Sequence, residues 1–312
     1  MRQRKDRREQ RMIGMNNKKI RTGMCRAGMV LILGMFMSGC GDLLAVPVGA
    51  GALSAEEAAA AEDVSRYEIT DADRRTENMG YREINLAEPE ESPDESYTWE
   101  EGSLYIRKPG GYVLSGSLDG GSLVVNVYRD ENVHLILNNA QIHGDGRAAV
   151  YVEKAGKVIL TAAEGTENLF TDSPQHKTDQ SACLFGSCSL TINGSGKLTV
   201  YGYHEDGIRT RDLLKVLGTT LEVRARKDGL RGNDGVILLD SEVSVESEGT
   251  GIFSDSEKDM IMIQGGSCSI IAGENGISAR RHVSVHGCSV NLRAVLEPVH
   301  CDGVRDLDGG TG

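Results

Sequence analysis

"DGIRTRDLLKVLGTTLEVRARK" (206–227) runs without a break into "DGLRGNDGVILLDSEVSVESEG" (228–249). The two stretches align with no gap, a repeat of 22 residues. "TGIFSDSEKDMIMIQGGSCSIIAGE" (250–274) continues it with three extra residues in its turn, and "NGISARRHVSVHGCSVNLRAVLEPVH" follows at 275. "DGV" at Asp302 is expected to open a fifth copy. Against the turn residues Gly218, Asp240, Gly265 and Gly287, apolar residues fall into fixed columns. Two places before them stand Val216, Leu238, Ile263 and Val285, and four before stand Leu214, Val236, Ile261 and Val283. Three after stand Leu221, Val243, Cys268 and Val290, and five after stand Val223, Val245, Ile270 and Leu292. Apolar and polar residues alternate, and most apolar ones are β-branched, which is the signature of half-buried strands. Ile208, Leu230, Ile252 and Ile277 supply a third apolar point per copy.

Three short strands per copy, always in the same order, predict a stack of coils paired edge to edge about 4.8 Å apart. The expected fold is all-β, a right-handed parallel β-helix with coils of about 22 residues. A β-sandwich is the rival, but antiparallel strands have no need of a fixed period. Less regular copies extend the pattern back through "CSLTINGSGKLTVYG", "AVYVEKAGKVILTAAEGTENLF" and "NVHLILNNAQIHG", so one solenoid domain is expected over 101–312. Small inward side chains account for an aromatic content of only 4%.

"GGYVLSGSL", "VHLILNNAQI", "GTENLF", "LTINGSGKLTV", "DGIRTRD" and "DGLRGND", in that order, resemble the carbohydrate-binding β-helix family of clostridial and related bacteria. The resemblance covers residues 105 to about 305. Members are exported, commonly as lipoproteins, and are similar in architecture to pectate lyases. The resemblance implies a right-handed parallel β-helix, bound calcium, and affinity for plant-type polysaccharides, including acidic ones. Such members tend to repeat Asp-Gly-Ile in successive coils; Asp206, Asp228 and Asp302 match, whereas Thr250 and Asn275 do not.

In a β-helix Asp206 and Asp228 stack one coil apart, and Asp212, Asp234 and Asp259 form a second column. Like charges that close repel unless neutralised. Calcium would neutralise them, since it takes six to eight oxygen ligands. Asp206, Asp228 and Asp234, with Asn233 or backbone carbonyls and Asp212 nearby, are the candidate ligands. Asp, Asn and Gly are equally the residues of ordinary turns, so both readings stand. A held calcium could also take uronate oxygens, and Arg209 and Arg231, with Arg211, Lys227, Arg280 and Arg281, could bind a glycan carboxylate directly. Tyr201, Tyr203, His204 and Phe253 are candidates for stacking on sugar rings, while Trp99 is expected to pack at the start of the domain. Calcium-dependent lyases of this fold use a Lys or Arg base. Lys227, and Lys215 on an outward strand position, have no specific motif around them. A glycan binder is therefore expected rather than an enzyme, with a lyase or a protein-binding adhesin as alternatives.

Residues 1–40 carry ten Lys/Arg against two Asp/Glu, which leaves about −20 on the rest of a chain whose formal charge is −12. A body that acidic repels nucleic acid and can gather cations. The basic start, the uncharged run Ala27–Gly39 and the end Met37-Ser38-Gly39-Cys40 read as a lipoprotein signal peptide over 1–40. Lipidation at Cys40 would tether the protein to the membrane on the extracytoplasmic side. Ser54–Glu101 holds sixteen Asp/Glu against four Arg, so 41–100 is expected to be a flexible acidic tether. Cys183, Cys188, Cys268, Cys288 and Cys301 have no zinc spacing, and an odd count does not make a disulfide framework. Cys268 and Cys288 are expected to be small buried hydrophobes, and the protein to be a monomer.

Overall fold

The computed structural model describes residues 67–307, except 78, 79, 91 and 93. The expected signal peptide and Cys40 lie outside the described residues. The chain is nearly all strand; the helix among the described residues is one turn, Asp71–Arg74. From Val150 onward each coil gives one strand to each of three faces. In the coil that begins at Asp206 these are Asp206–Thr210, Leu213–Leu217 and Thr220–Ala225, called below the first, second and third faces. Coil pairs with coil in parallel throughout, and the antiparallel exception is Tyr97–Glu100 against Ser103–Ile106.

The columns expected from the repeat are the inward ladders. Leu214, Val236, Ile261 and Val283 stack on the second face. Leu221, Val243, Cys268 and Val290 stack on the third. On the first face Ile208, Leu230, Ile252 and Ile277 continue backwards through Leu184, Val150, Leu123 and Leu104. Most of these side chains are fully buried, and each contributes about 1.5–3 kcal/mol of transfer free energy. The five described cysteines are free, and burial, followed by the charge of Cys288, pushes the Cys268 thiol up to about 12.

The Gly of each Asp-Gly step has a steric cause. A Cβ on Gly229 would lie 2.6 Å from the carbonyl oxygen of Gly251, and one on Gly251 would lie 2.6 Å from that of Gly276. Those carbonyls accept the Leu230 and Ile252 amides of the coil before, so the backbones cannot separate to admit a side chain. The fifth copy begins elsewhere than expected. Ile277 pairs with Val299, so Glu297-Pro298-Val299 holds the first-face place, and Asp302 instead leads into Val304–Leu307 on the second face. The position asks for an inward apolar residue, which Val299 supplies.

The stretch read as a flexible tether, 41–100, is in its second half packed on the solenoid. Arg82–Asn85 pairs with the strand Gly110–Asp119, adding a parallel rung before the first full coil. Ahead of it, residues 67–77 form a strap across the second face. Tyr67 donates to the Lys258 and Asp234 carbonyls, the latter at 3.2 Å, and Tyr81 bonds His134 Nδ1 at 2.8 Å. The strap therefore crosses successive coils in the direction opposite to their growth. Its acidic composition conceals why it binds: a single carboxylate, Asp73, is fully buried between two lysines of the face. Lys215, expected on an outward position, is indeed on the outward side of the sheet but is buried beneath this strap.

Candidate functional site

On the first face the residue after each inward ladder position points outward. Register places Tyr105, Val124, Tyr151, Phe185, Arg209, Arg231 and Phe253 in one column, continued by Ser278 and His300. Six coil steps of about 4.8 Å set Tyr105 and Phe253 roughly 29 Å apart. Arginines brace the rings: the guanidinium carbon of Arg107 lies 4.4 Å from the Tyr105 centroid, that of Arg211 5.5 Å from Phe185, and that of Arg231 4.5 Å from Phe253. Tyr151 and Phe185 meet at 5.9 Å with tilted planes. The column is a straight track in which Tyr105, Tyr151, Arg209, Arg231 and Phe253 are half-buried, while Val124 and Phe185 are buried.

The aspartates at the start of these strands are engaged within the protein. Asp206 Oδ1 accepts the Asp228 amide at 3.2 Å, and Asp228 Oδ1 accepts the Thr250 amide at 3.0 Å. The second oxygen of each meets the arginine three residues on: Arg209 Nη1 at 3.5 Å from Asp206 and Arg231 Nη1 at 3.1 Å from Asp228. Burial, then the charge of Asp228, raises the Asp206 carboxyl to about 6. Each arginine is left with an Nη2 that makes no hydrogen bond among the described residues, and both Nε atoms are buried without a partner.

The expected calcium ligands do not converge. Asp206 and Asp228 open the first-face strand, whereas Asp212, Asn233 and Asp234 follow it, six residues of near-extended chain away, of the order of 15–20 Å. Asp212 and Asp234 do stack, with the Asp234 amide donating to the Asp212 carbonyl at 3.2 Å. In the next coil Asp259 is buried and accepts the Arg280 and Arg281 amides at 2.8 and 2.7 Å. Among the described residues no group of three or more His, Cys, Asp or Glu could hold a metal ion. The five expected ligands do not fit a single calcium ion: Asp206 and Asp228 are taken up by backbone amides and arginines, and Asp212, Asn233 and Asp234 stand at the other end of the strand.

Tyr203 and His204 lie off the track, at the corner between the third and first faces. His204 stacks on His176, ring centroids 4.1 Å apart. His176 is itself enclosed, with Nδ1 2.7 Å from the Gln180 carbonyl and Nε2 2.9 Å from Asp172. Burial opposes its charge, but the bonds to Asp172 and to the Gln180 carbonyl outweigh burial and raise its pKa. His204 thus helps to fix the 172–181 insertion, while Tyr203 is half exposed and borders a shallow groove with Arg224, Arg226 and Ile271. Of the residues expected to meet sugar, Arg209, Arg231 and Phe253 share the track. Tyr105, Tyr151 and Phe185 were not identified from the sequence, because their coils depart from the 22-residue period; the apolar residue before each was the available signal.

A parallel β-helix with an aromatic and cationic track along one face defines a ligand-binding solenoid domain. Residues 100–303 match the carbohydrate-binding domain-containing family, and the chain belongs to that family. It is similar to a carbohydrate-binding domain-containing protein of Acetivibrio thermocellus, 30% identical over 220 residues that span 67% of this chain and 77% of the relative. A solved structure described as a polysaccharide lyase-like protein from C. thermocellum, a gadolinium derivative, superposes with a TM-score of 0.69 at 26% identity, over 73% of this chain and 96% of that one.

Proposed function

We propose that the chain binds an extended polysaccharide laid along the first face, parallel to the axis of the coils. The outward column carries this reading: Tyr105, Tyr151 and Phe253, spaced by whole coil steps, offer stacking surfaces, and Arg209 and Arg231 each keep a free Nη2 for sugar oxygens. Guanidinium pairs carboxylate more strongly than hydroxyl, so acidic glycans such as pectate are the preferred ligands. The arginines supply the positive charge, and calcium bound by stacked aspartates is not needed to bridge protein and glycan. Lipidation at Cys40 would hold this surface outside the membrane.

The protein binds the glycan without cleaving it. Lys227 is exposed and its nearest acid is Glu205 at 4.0 Å, while Lys215 is covered, so neither is poised to take a proton from a sugar on the first face. The test is retention of the protein on insoluble pectate and on cellulose, with calcium or with chelator. Retention on pectate in both conditions is expected, reduced about ten-fold or more in Arg231→Ala and in Phe253→Ala. Unchanged retention of both variants would remove the first face from consideration, and ultraviolet absorbance from unsaturated uronates in solution would make the protein a lyase.

A further inference from the structure

The second face holds a carboxylate in a site built for one. Asp73 Oδ1 accepts from Lys157 Nζ at 2.8 Å and Thr191 Oγ1 at 2.7 Å, and Oδ2 accepts from Lys215 Nζ at 3.0 Å. These three donors come from outward positions on successive coils, fixed by the strand register. The strap adds only its own Thr70, whose amide and hydroxyl also reach Oδ2. Burial works against the charge on Asp73, but the bonds from Lys157, Thr191 and Thr70 outweigh it and hold the carboxyl well below the ordinary range.

Apolar burial contributes only in part to the attachment: Tyr67, Ile69 and Ala72 are half-buried. Of residues 67–77, Asp73 alone is buried. The remaining ties are polar: Lys215 to the Glu68 carbonyl, Asn193 Nδ2 to the Asp73 and Arg75 carbonyls at 2.8 and 2.9 Å, and Tyr67 to two carbonyls. In a body of strong net negative charge, two ammonium groups and a hydroxyl converge on one point, and the strap's carboxylate meets them. Beside that point, reached through Asn193, lies an open groove of about 990 Å³ lined by Ile136, Leu217 and Leu239, with Arg74 against Glu77, Glu164 and Asp240, so the lysine cradle and not the groove selects the carboxylate. The groove has room for sugar rings attached to a carboxylate seated in the cradle.

We propose that Lys157, Thr191 and Lys215 form a second glycan site, specific for the carboxylate of an acidic sugar, which Asp73 of the same chain occupies as an internal ligand. Uronate-containing chains compete with the strap there, independently of the first-face track.

The test uses the full chain, with Asp73→Ala and trigalacturonate as the probe. The variant is expected to bind trigalacturonate about ten-fold or more tightly than the wild type does at this site. Galacturonate should raise the melting temperature of Asp73→Ala more than that of the wild type, relative to chloride at equal ionic strength. Adding Lys215→Met should abolish both gains, since it replaces one of the two converging ammonium groups with an apolar side chain of similar length. Asp73→Asn, which keeps the size of the side chain, serves if Asp73→Ala does not fold. Galacturonate acting no better than chloride on either variant, or a gain that survives Lys215→Met, overturns the proposal and makes the strap a structural latch. Arg231→Ala, carried alongside, should leave these gains unchanged, so the two faces are judged separately.

Discussion

Asp206→Asn distinguishes arginine from metal as the partner of the stacked aspartates. The folded carboxyl sits at about 6, against an ordinary value of 3.8, because it is buried and Asp228 lies one coil away. The folded state therefore holds this proton more tightly than the unfolded chain does. Its contribution favours folding fully below pH 3.8 and is lost as pH rises to about 6. The difference corresponds to about 3 kcal/mol of stability missing at pH 7. Asparagine is neutral at every pH and can still accept the Asp228 amide, but gives up the contact with Arg209, which at 3.5 Å is a long one. A net gain of about 1–3 kcal/mol is expected at pH 7, with little change at pH 4. Denaturant titrations of both proteins at the two pH values, each with calcium and with chelator, measure it. If Asp206→Asn is instead less stable at pH 7, and more so with calcium than with chelator, a metal neutralises the column and the reasoning fails.

Other outcomes follow from the same geometry. His134, buried under the strap and near Arg75, has its pKa lowered to about 4, so its contribution is full above pH 6.5 and is lost as pH falls towards 4. Relative to His134→Gln, the wild type should lose about 3 kcal/mol over that interval in chemical denaturation; parallel pH profiles would refute this. Gly229→Ala pushes a methyl towards Val245 and the Gly251 carbonyl and should cost about 1–3 kcal/mol, read as a lowered melting temperature. Of the five described cysteines only Cys288 is partly exposed, so a thiol reagent should label it first and reach the other four only after denaturant is added.

The solenoid from Asp206 onward was legible because its coils share one length: every inward column drawn from Gly218, Asp240, Gly265 and Gly287 recurs in the register. Legibility failed where length varies. The insertion at 172–181 and the long corner-turning strands Gly110–Asp119 and Asn132–His143 shift the count, which hid Tyr105, Tyr151 and Phe185 from the track. At the far end "DGV" imitated a repeat start, yet backbone pairing selected Val299. The aspartates stack as expected, and the structure adds the amides and arginines that they meet. Sequence places Asp228 beside Arg231 only as residues three apart, and burial turns that spacing into an ion pair. The strap was missed for the opposite reason, since composition speaks for disorder while one carboxylate against two lysines needs coordinates to be seen.

The strap also bears on how the molecule comes apart. In a stack where each coil touches only its neighbours, stability is a sum of local terms and the ends can unzip one rung at a time. A segment pinned at Lys258, Asp234, Lys215, Asn193, Lys157 and, through Tyr81, His134 breaks that locality. It acts as a longitudinal stay: a coil cannot fray without loosening ties shared with coils several rungs away. The strapped rungs should open as one cooperative unit in hydrogen exchange, and those beyond Lys258 should open piecemeal and at lower cost. Under tension along the axis, the coils beyond Lys258 would peel singly at low force and the strapped rungs would then yield together in one large step.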